Sequence, residues 1–141
     1  QVKLAISLHA ATDEKRNQIM PINKAYPLIE VLSAVKYYDS KTNKRVTYEY
    51  IMLNDFNDTL EDARALVNLV KGTNGFVNLI AYNPIAEFDY EPSTRDHVYK
   101  FANYLKSMGV QTTVRKEFGS DIDAACGQLR AKVEKKRGNN S

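Results

Sequence analysis

Four stretches with strand-like patterns are separated by stretches with helical spacing, and that alternation limits what this chain can fold into. Residues 2–8 place Val2, Leu4, Ile6 and Leu8 on one face at period two. Asp13 to Met20 reads as a short helix after the turn at Ala11-Thr12. Pro27 takes a favourable first helical position, and Leu28, Val31, Leu32 and Val35 follow at helical spacing. The polar run Asp39 to Lys44 leads into a second strand, Arg45 to Leu53, rich in β-branched and aromatic residues.

The pattern then repeats. Asn54-Asp55-Phe56-Asn57-Asp58 is a turn-rich loop, and Thr59 with Asp62 forms a capping pair although the usual partner is Glu or Gln. Leu60, Ala63, Leu66, Val67 and Val70 mark the next helix, which Gly72 to Gly75 ends. Phe76 to Tyr82 is the third strand, and Asn83-Pro84 opens a loop. Ser93 and Asp96 begin a helix carrying Val98, Phe101, Ala102 and Leu105, Gly109 stops it, and Val110 to Arg115 is the fourth strand. Helices between strands predict an α/β fold with a mostly parallel sheet or a barrel segment. Four units are too few to close a barrel alone.

In such folds ligands gather at the C-terminal ends of the strands. The residues there are Ser7-Leu8-His9, Leu53-Asn54-Asp55, Asn83 and Arg115-Lys116, so the polar groups fall on one rim. Ser7 with His9 can serve as a polar ligand pair, and a strand-end His can equally be a hydrogen-bonded structural residue. His97 shares no metal-ligand spacing with His9, so no zinc site is predicted. Glu49 faces a ligand or pairs with a basic residue, and Tyr48 and Tyr50 are expected to pack.

The chain of 141 residues is 43% hydrophobic and holds no apolar run long enough to span a membrane. One cysteine, Cys126, excludes an intramolecular disulfide and a cluster held by several thiolates of this chain. Together these features predict a cytoplasmic protein. By residue type Cys126 is either a small buried apolar residue or a single reactive thiol. The formal charge of +3 is concentrated: residues 130–137 hold five basic side chains against Glu134. A basic tail at 130–141 suits a polyanion such as RNA, or is a solvated helix end. The chain begins with Gln1 rather than Met, directly on a strand, and is expected to be a fragment of a longer protein.

Ser7-Leu8-His9-Ala10, Met20-Pro21-Ile22-Asn23, Glu49-Tyr50, Asn57-Asp58, Val77-Asn78-Leu79-Ile80 and Asp121 to Leu129 occur in a characteristic order. In that order they resemble the C-terminal part of the radical S-adenosylmethionine enzymes that methylate adenine C2 in 23S rRNA and in tRNA. The related C8 methyltransferases that confer antibiotic resistance share much of this pattern. The resemblance implies the C-terminal portion of a partial (β/α)6 barrel over residues 1–129. It implies that Cys126 carries a methyl group from one S-adenosylmethionine. A radical made from a second S-adenosylmethionine at a [4Fe–4S] cluster then activates that methyl for addition to C2. Ser7, Leu8, His9 and Asn83 match the family's cofactor-binding positions. The family's Cys-x3-Cys-x2-Cys cluster motif, resolving cysteine and general-base Glu lie upstream of such a segment. The chain alone is therefore expected to be inactive and to need the missing N-terminal part and an electron donor. A non-catalytic RNA-binding α/β domain is the alternative from another functional class.

Overall fold

The structure, a computed structural model, describes residues 4–82 and 90–115. Its elements are β1 (Ala5–Ser7), α1 (Asp13–Ile19), a 3₁₀ turn (Pro21–Lys24), α2 (Leu28–Lys41), β2 (Val46–Met52), α3 (Leu60–Val70), β3 (Gly75–Ala81), α4 (Arg95–Ser107) and β4 (Thr112–Arg115). The strands form one sheet in the order β1-β2-β3-β4, and every pairing is parallel. The predicted α/β alternation is therefore the observed one.

Alternation along the strands separates two faces. Val46, Tyr48, Tyr50 and Met52 of β2, with Val77 and Leu79 of β3, pack against Leu28 and Val35 of α2, Leu66 and Val70 of α3, and Phe101 and Leu105 of α4. Three helices thus cover one face. Tyr48 and Tyr50 are fully buried there, as expected from their place in the strand. The opposite face carries Ala5, Ser7, Thr47, Glu49, Phe76, Asn78 and Thr113. A smaller core of Ile19, Met20, Ile51, Leu53, Ile80 and Tyr82 closes that face at the C-terminal end of the strands.

The helix ends follow local chemistry. Thr59 and Asp62 make a complete capping box, so Asp serves where Glu or Gln is usual. At α4 the cap is Thr94, which accepts from the His97 amide, whereas the Ser93 hydroxyl donates to Asp58 Oδ2. The expected Ser93–Asp96 pair is thus displaced by one residue, because Ser93 already has a partner in the loop between β2 and α3. Pro27 precedes rather than begins α2, whose first amide, Leu28 N–H, donates to Asp13 Oδ1 at 2.9 Å. Gly109 at φ +84 closes α4 with Val110 N–H to Leu105 O and Gly109 N–H to Lys106 O. That is the Schellman arrangement, with Leu105 and Val110 both in the main core.

Gly75 begins β3 where a Cβ would lie 2.7 Å from Tyr48 Cε2 and 2.8 Å from Val46 O. The second neighbour is backbone and cannot rotate away. Gly75→Ala is expected to destabilise the protein by about 1–3 kcal/mol through overpacking, read as a lower urea midpoint; an unchanged midpoint would show that the β2–β3 pair yields to a methyl group.

Candidate functional site at the C-terminal rim

The end of β1 departs from regular strand geometry. Leu8 N–H and His9 N–H both donate to Glu49 O, at 2.9 and 3.3 Å, so the ladder stops at that carbonyl. Ala10 N–H then turns back to Leu8 O at 2.8 Å across His9, whose φ is +58. A hydrogen bond spanning two residues across a positive-φ residue is the pattern of the rare, strained γ-turn. His is among the few side chains that tolerate positive φ, but the conformation still costs energy and needs support.

Support comes from three side chains. The Arg16 guanidinium donates from Nε to Leu8 O at 3.0 Å, from Nη2 to Ser7 O at 3.1 Å and from Nη1 to Asn23 Oδ1 at 2.7 Å. Asn23, itself buried, donates to Asp13 Oδ1 and Asn17 Oδ1, which ties the 3₁₀ turn to α1. Asn57 is fully buried: its amide nitrogen donates to His9 O and Ile51 O, and its oxygen accepts from Leu53 N–H. Burial lowers the proton affinity of Arg16 and the Asp13 carboxylate opposes that shift. The guanidinium remains charged at any working pH.

His9 is 3% exposed, and its Nδ1 accepts from Ile51 N–H at 3.0 Å. That nitrogen is therefore unprotonated, and the neutral ring carries its proton on Nε2. The hydrogen-bonded role weighed for His9 is present, with the tautomer set by the neighbouring strand. Leu8 puts its side chain into the main core, so its part in any site is that of backbone. Among the described residues Ser7 is exposed, on the face of the sheet opposite α2, α3 and α4. Asn83, Cys126, Lys116 and the basic tail lie outside the described residues.

On the face opposite α2, α3 and α4, Ser7 lies in register with Glu49, Glu49 with Asn78 and Asn78 with Thr113. Four polar side chains thus form one row across four strands, about 14 Å long at ordinary interstrand spacing. Thr113 Oγ1 contacts Asn78 Oδ1 at 3.1 Å and orients that amide. One row higher, Arg115 lies in register with Ile80. The row offers hydroxyl, carboxylate and amide groups for polar contacts. A metal cluster does not fit these residues: among the described residues no group of three or more His, Cys, Asp or Glu could hold a metal ion.

Arg16, Asn23 and Asn57 were not legible as site residues from spacing alone. Asn23 and Asn57 do fall within motifs that carry the family resemblance. Their burial as polar groups is the feature that gives those motifs a physical meaning.

No protein-family model matches the chain. Curated relatives do. The chain is 51% identical over 132 residues to the probable dual-specificity RNA methyltransferases RlmN of Staphylococcus aureus strains JH9 and NCTC 8325 / PS 47. The chain resembles part of a radical S-adenosylmethionine RNA methyltransferase. It spans 36% of the length of those relatives, while the match takes in 94% of the chain. Among solved structures, a radical SAM methyltransferase from Sphaerobacter thermophilus superposes with a TM-score of 0.83 at 39% identity, over 91% of this chain and 38% of that one. A domain of a pyruvate-formate lyase-activating enzyme from Bacteroides vulgatus gives 0.63 at 10% identity over 79% of this chain and 66% of that one, which shows a shared fold. No helix among the described residues is long and apolar enough to cross a membrane.

Two predictions come from the buried polar groups. Asn57→Ala removes the partners of one amide and two carbonyls and is expected to cost at least about 2 kcal/mol, measured by urea denaturation; a loss under about 0.5 kcal/mol would mean water replaces the amide. Tyr50 donates its hydroxyl to Asn57 O at 2.7 Å, and its pKa is raised well above the ordinary phenol value, first by burial and then by Asp62 and Asp58. Its contribution to stability is therefore complete below the unfolded pKa of about 10 and is lost as pH rises towards and through the folded value. Tyr50→Phe should lower stability by about 1 kcal/mol at neutral pH and reduce the alkaline fall, as followed by denaturation midpoints across that range.

Proposed function

We propose that this chain is the methyl-carrying part of an enzyme that methylates adenine C2 in 23S rRNA and tRNA, with Cys126 as the residue that holds the methyl group. The observation that carries this reading is the 51% identity to dual-specificity RNA methyltransferases over 132 of the 141 residues. At most nine residues lie outside such a span, so the matched stretch takes in Cys126 wherever it starts. The motif Asp-Ile-Asp-Ala-Ala-Cys-Gly-Gln-Leu gives that thiol its specific setting.

S-adenosylmethionine, together with a [4Fe–4S] cluster, supplies when bound the methyl group and the radical chemistry that an electron-poor aromatic C–H carbon requires. In this reading Ser7, Leu8, His9 and Asn83 form the cofactor-binding positions. Ser7 presents its hydroxyl from the strand end, and the backbone of Leu8 and His9 holds the turn. His9 contributes a neutral ring of fixed tautomer. The polar row from Ser7 to Thr113 suits the hydrogen-bonding needs of an adenosine. In this reading the Cys126 thiolate takes the methyl at Sγ to become a thioether, and S-adenosylhomocysteine is the group that leaves.

The chain does not hold the cluster by itself, because such a cluster takes three thiolates and the sequence has one cysteine. Cluster ligands, general base and resolving thiol belong to the remainder of the protein, and reduction needs an external electron donor. Alone, the chain is inactive in this reading. The basic tail at 130–141 supplies phosphate contacts for RNA, and the setting is the cytoplasm.

The full-length protein carrying Cys126→Ala is expected to leave both RNAs without 2-methyladenine, as read by mass mapping of 23S rRNA and tRNA. Continued methyl transfer by that variant would overturn the role of Cys126. Modification by the unaltered protein confined to C8 would overturn the assignment to C2. Deleting residues 130–141 should weaken RNA affinity and flatten its salt dependence; unchanged salt dependence would remove the tail from the interface.

A further inference from the structure

We infer that Arg16 is a positioning residue for the cofactor: it holds Ser7–Leu8–His9 in the turn that binds S-adenosylmethionine, and so sets cofactor affinity without touching the ligand. This rests on the reading that Ser7 and His9 belong to the cofactor site.

The geometry makes Arg16 specific to that turn. It is 5% exposed, and each of the three nitrogens of its guanidinium makes a hydrogen bond, to Leu8 O, Ser7 O and Asn23 Oδ1. Leu8 O is also the acceptor that closes the turn, from Ala10 N–H. One carbonyl therefore takes both the turn's own hydrogen bond and the Arg16 bond, so the guanidinium fixes the acceptor that closes the turn, and losing it leaves that carbonyl free to swing away from the positive φ at His9. A buried cation given to two main-chain carbonyls and an amide oxygen, with no carboxylate among the described residues bonded directly to it, is costly to keep. A turn that had only to connect β1 to α1 could relax to negative φ and would need no such clamp. Asn57 holds the far side of the same turn through His9 O, and Ile51 N–H fixes the imidazole. The chain thus invests charge and buried amides in one strained residue beside the exposed Ser7, where preorganisation lowers the cost of binding.

Lysine keeps the charge but loses the fork that reaches two carbonyls at once. In the full-length protein, Arg16→Lys is expected to weaken binding of S-adenosylhomocysteine at least tenfold by titration calorimetry. The KM for S-adenosylmethionine should rise by a similar factor, while kcat at saturation stays within about threefold of the unaltered protein, as expected when ground-state and transition-state binding fall together. Gly109→Ala, a strain placed at the remote end of α4, serves as the control: it should lower Tm and leave that affinity unchanged. If Arg16→Lys does not fold, Asn23→Ser, which removes the support of Nη1, should still weaken binding at least threefold. Affinity within twofold of the unaltered protein in whichever of these variants folds would overturn the inference. If the unaltered full-length protein itself fails to bind S-adenosylhomocysteine, the cofactor reading falls first, and the inference with it.

Discussion

A parallel sheet whose strands follow one another without reversal has its connecting helices on one side. Here that constraint organises everything else. Helices α2, α3 and α4 bury Tyr48, Tyr50, Val77 and Leu79 on one face, and the other face is left to Ser7, Glu49, Asn78 and Thr113. Had the strand order doubled back, helices would cover both faces and those four side chains would lie in an apolar layer, where a carboxylate and an amide are costly without partners. The fold and the polar row are consequences of the same topology.

At the end of β1 the main-chain polar groups cannot be satisfied by further ladder bonds, because Glu49 O already receives two amides. Side chains take over. Arg16 arrives from α1, Asn57 from the loop after β2, and Asn23 from the 3₁₀ turn that supports Arg16. Each comes from a different segment, so the local shape of three residues depends on the packing of the entire rim. This is how a short strand of three residues carries a fixed, strained end without regular secondary structure of its own.

Much of the fold was legible because it depends on local periodicity. Alternating apolar residues marked β2 and β3, helical spacing marked α3 and α4, and Thr59 with Asp62 marked a cap that the structure completes. The errors were small shifts: Thr94 replaced Ser93 as a cap, and Pro27 stood one residue outside α2. The rim was legible as a place, since parallel strands end together. Its internal chemistry was not. Arg16 and Asn23 look like solvated helix and turn residues in sequence, and Asn57 looks like an ordinary loop residue. Their importance comes from contacts 4 to 48 residues away along the chain, which periodicity does not encode. The positive φ of His9 is likewise invisible in its residue type.

The amide of Asn57 bonds to the turn that follows β1, through His9 O, to Ile51 O in β2 and to Leu53 N–H just beyond it. An edge strand of three residues would ordinarily open by itself in low-energy fluctuations, exposing its amides to solvent exchange. Here the last residues of β1 and the last residues of β2 share one buried side chain, so neither can open without breaking bonds held by the other. The two strand ends are therefore expected to open as a single cooperative unit, with the amides of Leu8, His9, Ile51 and Leu53 sharing one opening free energy set by β2, a strand within the sheet.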